Sequence, residues 1–293
     1  MDYAPHENLV APARAHSTAW RLLLGVSIGL ISFVGLNYSY VKIAELLVGH
    51  EWLAPIAQNG GNIGPGQTIF LLSTFSCMLA AVGLTVAVVH RANPLSLLGN
   101  AAKALKDFRM AMITLLPALA VIVIVQFLFE GVQVNVATKL WLTLLPLSVP
   151  LVLLQVTAEE AVFRGYLQSQ IAALGVHPVV WIMVPSILFG LGHYNPDVVG
   201  YAAPFFVLWA IMFGALAADL TARTGSIGAA VAFHFMNNVI AILLIGLHDH
   251  LGGLALWVLP FSVSDTSEVM MQLPSNAIAM LAMYLLIRAR LRV

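Results

Sequence analysis

Apolar runs recur along the whole chain, at 21–42, 68–89, 110–129, 140–158, 179–193, 203–220, 226–246 and 272–288. A helix needs about 20 mostly apolar residues to cross the hydrocarbon of a bilayer, and most of these runs reach or approach that length. A water-facing coat needs charge, typically roughly 25% of the residues in a soluble domain. Here 9% of 293 residues are charged and 60% are hydrophobic, and mean hydropathy is +0.93. The expected fold class is therefore all-α, a polytopic membrane bundle of about eight transmembrane helices. Thirteen basic and thirteen acidic residues cancel, which leaves no broad basic face for nucleic acid, and so much apolar sequence excludes disorder. The lone Cys77 excludes a disulfide framework and a cysteine-ligated zinc site.

Lysine and arginine set the expected orientation. With the N-terminus inside, eleven of them, from Arg14 to Arg292, fall on the cytoplasmic side, and only Lys42 and Lys139 fall outside. Both termini are expected in the cytoplasm. The polar start Met1–Thr18 has no apolar stretch before a cleavage site, so the first run is expected to stay as a signal anchor. Pro94–Arg109 reads as an amphipathic surface helix and Gly253–Phe261 as an interfacial segment anchored by Trp257. Gly-rich Asn59–Gly66 lacks a phosphate-loop lysine and reads as a turn. His248 and His250 read as residues of a solvated outer loop.

Ionisable groups inside a bilayer are costly, about 2.5–3.5 kcal/mol each at the centre, and default to a functional reading. They gather in one half of this chain. The fourth run leads into Glu159 and Glu160, followed by Arg164; the fifth ends with Phe189 and His193; the seventh carries His234 and Asn238. Residues four apart share a helix face, whereas adjacent ones point about 100° apart. Glu160 and Arg164 thus form a natural pair, and Glu159 projects elsewhere without a local partner. A carboxylate in an apolar cavity holds a proton more tightly than one in water, which suits a general base near neutral pH. His234 and Asn238 offer an imidazole and an amide to one point, able to stabilise an oxyanion or, with a carboxylate, to help hold a metal. Any one of these groups alone reads as helix-packing glue. Two glutamates, two histidines and an asparagine on three helices point to chemistry.

The ordered set Glu159-Glu160-x-x-x-Arg164, Phe189-x-x-x-His193, His234-x-x-x-Asn238, with Phe163-Arg164-Gly165 after the acidic pair, resembles the signature of the CAAX-processing and bacteriocin-processing (CPBP, or ABI) intramembrane proteases, which include the type II CAAX prenyl endopeptidases. The resemblance covers roughly residues 140–245, so the chain divides into signature-free helices (1–135), a protease-like core (140–245) and an outer loop with the last helix (246–293), all within one membrane domain. It implies an eight-helix endopeptidase that cleaves membrane-associated peptides or proteins, with its active site open to the cytosol. Glu159, assisted by His193, would activate a water; His234 and Asn238 would stabilise the oxyanion; Glu160 and Arg164 would support Glu159.

The resemblance is compatible with a glutamic or a zinc mechanism. No HExxH pair is present, so no cofactor is expected; Glu159, His193 and His234 are the ligand set if zinc is used. Two other functions fit the residues less well: a non-catalytic scaffold or bacteriocin-immunity protein of the same fold, and a proton-coupled transporter. A bacterial inner (cell) membrane is the expected location, with membrane peptides, bacteriocin precursors or anchored proteins as substrates there.

Overall fold

The computed structural model describes residues 3–57, 63–129, 131–247, 249 and 251–293. Asn59–Asn62, His248 and His250 lie outside the described residues. Among the described residues, a short N-terminal helix, α1 (Glu7–Arg14), is followed by eight apolar helices of ten residues or more. Six are long and apolar enough to cross a membrane: α2 (Ala19–Val48), α3 (Pro65–Val89), α4 (Ala101–Phe129), α5 (Thr138–Ala173), α7, whose regular part is Ala203–Thr224, and α9 (Thr266–Leu291). Two are shorter, α6 (Pro178–Leu191) and α8 (Gly228–Leu244). The chain is an integral, multi-pass membrane protein built as an all-α bundle.

Each expected run falls on one of these helices, but two of them differ in a way that matters. The fourth does not stop at 158. It continues as α5 to Ala173, widened to π-helical turns over Ala161–Gln168, because Glu160 and Arg164 neutralise each other inside the bundle instead of leaving it. The fifth, α6, has only 14 residues, about 21 Å at 1.5 Å per residue, too short to cross a core of about 30 Å. These two facts bring the motifs level. Glu159 lies about 21 Å before the end of α5, and the chain climbs back about 22 Å along α6 before it reaches His193.

Two segments are corrected. Pro94–Arg109 is not a separate surface helix. A 3₁₀ turn covers Pro94–Leu98 and Gly99 sits at φ +71. Asn100 then accepts a hydrogen bond from the Lys103 amide and opens α4, and nothing between Arg109 and Met110 breaks the helix. Gly253–Phe261 does not lie along the interface either. Leu254, Ala255, Leu256 and Val258 are all buried, and β3 (Trp257–Val258) joins a small sheet. It pairs antiparallel with β1 (Gln133–Val134) and parallel with β2 (Ile245–Gly246). Asn135 ties the sheet down by donating to the carbonyls of Gly252 and Ala255, and Trp257 packs edge-on against Phe127. The segment is apolar because it caps the bundle from inside.

α8 is the central helix: every residue from Gly228 to Met236 is buried. Small residues let its neighbours approach, as helix packing inside membranes requires. Gly228 meets the Ala104 backbone of α4, and Gly214 of α7 faces Ser186 of α6 at 3.0 Å from where a Cβ would sit.

The two ends of the chain meet at one end of the bundle. Asp219 accepts hydrogen bonds of 2.7 Å each from Tyr3, Arg223 and Tyr284. Beside it His6 is 3% exposed, packed at a tilt on Trp181 of α6, and its Nε2 has no hydrogen-bond partner among the described residues. Burial pushes the His6 imidazole from its ordinary 6.5 down to about 4. Between those values an undocked N-terminal segment takes up a proton that the docked one refuses, so docking is at full strength above pH 6.5 and weakens as pH falls towards 4. The loss is on the order of 3 kcal/mol. Proteolytic cleavage at Arg14 and Trp181 fluorescence are expected to report release over that window, and His6→Phe to abolish the dependence; equal acid sensitivity in both proteins would contradict the assignment.

Candidate active site

Mid-way along α5, residues 155–164 turn a polar edge towards α8 in an otherwise apolar bundle. Glu160, fully buried, receives Arg164 Nη1 on its Oε1 at 3.2 Å. This is the i,i+4 pair the spacing predicts. Arg164, 1% exposed, reaches across with its other nitrogen to the Gly214 carbonyl of α7, also at 3.2 Å. A guanidinium is always charged and must be paired when buried; Phe189 of α6 covers it at 4.8 Å. Gly165 follows because α5 runs against the turn before α4: a Cβ there would stand 2.6 Å from the Leu97 carbonyl oxygen.

His234 of α8 is the residue that joins the two glutamates. Its Nδ1 lies 2.8 Å from Glu160 Oε1 and its Nε2 lies 3.4 Å from Glu159 Oε2. The first contact is a hydrogen bond and the second an ion-pair distance, so Glu160 holds the ring and Glu159 stands beside it. With Arg164 on Glu160 as well, the acidic pair meets basic groups on two sides, as a low-dielectric interior demands of buried carboxylates. Phe213 and Phe189 wall the ring, with centroids at 4.8 and 5.9 Å.

Glu159 is not left alone, as the sequence suggested. One turn earlier on the same helix, Gln155 donates from Nε2 to Glu159 Oε2 at 2.9 Å, and its carbonyl oxygen accepts from Asn238 Nδ2 at 2.7 Å. Asn237 in turn donates to Asn238 Oδ1 at 3.1 Å. A continuous chain therefore runs from Arg164 through Glu160, His234, Glu159, Gln155 and Asn238 to Asn237. Gln155 escaped the reading of the sequence because an amide carries no charge to attract notice. The available signal was its place four residues before Glu159 in an apolar run.

His193 stands apart from this chain. No hydrogen bond or ion pair joins it to Glu159 among the described residues; the imidazole on Glu159 is that of His234. His193 donates from Nδ1 to the Phe189 carbonyl at 2.8 Å, so its Nε2 is left as an acceptor. Its ring packs on Phe189 at 4.6 Å, so that this one phenyl touches both histidines and Arg164. Among the described residues, no group of three or more His, Cys, Asp or Glu side chains stands as a metal site.

The site falls wholly within a segment of known kin. Residues 140–240 match the family described as type II CAAX prenyl endopeptidase Rce1-like. This is the group that the three motifs resemble. The chain is also 31% identical over 112 residues to the uncharacterized protein YyaK of Bacillus subtilis (strain 168). That alignment covers 36% of this chain and 35% of the Bacillus protein, so the likeness spans about a third of each. Comparison with solved structures finds no match.

Arg164→Leu should leave Glu160 buried with less positive charge beside it and cost about 3–5 kcal/mol, read as a fall in thermal midpoint in detergent. Adding Glu160→Gln should restore part of the loss, since it removes the uncompensated charge. Equal melting of wild type and Arg164→Leu would show that the pair carries no such load.

Proposed function

We propose that this chain is an intramembrane endopeptidase of the CAAX-processing type that hydrolyses peptide bonds of membrane-associated peptides or proteins. The observation that carries the reading is the meeting of Glu159, Glu160 and His234 in a walled cluster at mid-helix depth, inside the segment that matches an endopeptidase family. Glu159 Oε2 is engaged by Gln155 and faces His234, and among the described residues none donates a hydrogen bond to Oε1. Oε1 is the atom that takes a proton from water as the water oxygen attacks the scissile carbonyl carbon. With substrate in place, His234, held at Nδ1 by Glu160, turns its Nε2–H from Glu159 to the oxygen that becomes negative, and the second N–H of Asn238 donates to the same oxygen. His193 offers its Nε2 lone pair to orient the attacking water. The proton held by Glu159 passes to the leaving amine as the carbon–nitrogen bond breaks, which restores the carboxylate.

With the lysine- and arginine-rich end placed in the cytoplasm, both termini are cytoplasmic. The match to a Bacillus protein supports a bacterial cell membrane, where anchored peptides rather than prenylated ones are the expected substrates.

Purified protein in lipid nanodiscs, mixed with membrane-anchored and prenylated reporter peptides, tests the reading. Glu159→Gln should lower kcat by about 10²–10⁴-fold with the fold intact by circular dichroism. Cleavage should persist after exhaustive chelation. A folded Glu159→Gln protein that cleaves at the wild-type rate would refute the assignment, and wild-type protein inactive on every anchored substrate would favour a scaffold.

A further inference from the structure

We propose that Gln155 is a positioning residue of this site, orienting both the Glu159 carboxylate and the Asn238 amide through hydrogen bonds to each. The inference rests on the endopeptidase reading for its catalytic consequence, although the geometry stands without it.

A buried glutamine in a membrane helix most often bonds a backbone carbonyl or bridges two helices to hold them together. Gln155 is 6% exposed, yet both of its hydrogen bonds go to residues of the candidate site, one on its own helix and one on α8. The direction of each bond follows from chemistry. An ionised carboxylate only accepts, so the Gln155 NH₂ must face Glu159 and its oxygen must face away. That oxygen also only accepts, so Asn238 must present its NH₂ to it. The Asn238 oxygen is then turned outward, where Asn237 donates to it. The charge on Glu159 thus sets the orientation of two amides in series. One Asn238 N–H is committed to Gln155 and its second N–H is aimed by the same constraint.

The same bond decides which carboxylate oxygen reacts. Gln155 and His234 both address Oε2, and Glu159 as a whole is 12% exposed at its side chain. Oε1 keeps its lone pairs for a water. Without the Gln155 donor the carboxylate can rotate about its last bond and lose that distinction.

Two shape-conserving variants without a donor, Gln155→Leu and Gln155→Met, test the role in the full-length protein in nanodiscs. Expected are a 10- to 100-fold fall in kcat and a KM within about threefold of wild type. A readout that needs no turnover accompanies these: the infrared carboxylate stretch of Glu159, obtained as the difference between wild type and Glu159→Gln in protein labelled with ¹³C-glutamate. That band should shift in both Gln155 variants. An unshifted band together with an unchanged kcat overturns the proposal. A shifted band in a protein whose wild type cleaves nothing upholds the positioning of Glu159 and overturns the endopeptidase reading instead. A purely packing role would lower the thermal midpoint with the band unmoved, and that result also overturns the proposal.

Discussion

A carboxylate buried in the middle of an apolar bundle has to be neutralised where it stands. Glu160 meets that demand with Arg164 one turn further along its own helix and with His234 from α8. Much of the arrangement around it follows. Arg164 needs a further acceptor and finds the carbonyl of Gly214, where the lack of a side chain lets α7 pack close on α6. It needs a lid, and Phe189 supplies one. His234 needs a carboxylate on its second nitrogen, and Glu159 stands there. The one oxygen of Glu160 that lacks a partner, Oε2, marks how closely this set has been filled.

Helix lengths place the other groups around that pair. A 36-residue α5 passes through the cluster and continues beyond it, so the acidic pair sits well inside the helix and not at its end. The widened turns begin at the residue after Glu160 and contain Arg164; such π turns are uncommon and concentrate at functional sites. Short α6 then stops beside α5 and does not cross. His193 comes to the level of Glu159 only because α6 is too short to carry it further.

How much of this could be read from the sequence depended on the range of each interaction. Glu160 with Arg164 is a contact four residues long and was legible from helical spacing alone. Contact between His234 and Glu160 spans 74 positions, and no local pattern encodes it; the motif order indicated only that the two belong to one site. Glu159 was expected to depend on His193, but helix geometry supplied Gln155 and folding supplied His234. The end of α5 was misjudged for a physical reason. Charged residues were read as leaving the membrane, when mutual neutralisation lets them stay within it. The merging of Ala101–Arg109 into α4 had a sequence cause as well: amphipathicity marks a face, and only a breaker marks an end.

The small sheet ties two helices together. β2 follows directly on α8 and β1 comes shortly before α5, and both pair with β3, so the two helices that carry the acidic cluster are stitched together by backbone pairing beyond it. Backbone N–H and C=O groups carry no titratable proton. The hold that the sheet has on α5 and α8 is therefore the same whatever charge the acidic cluster carries.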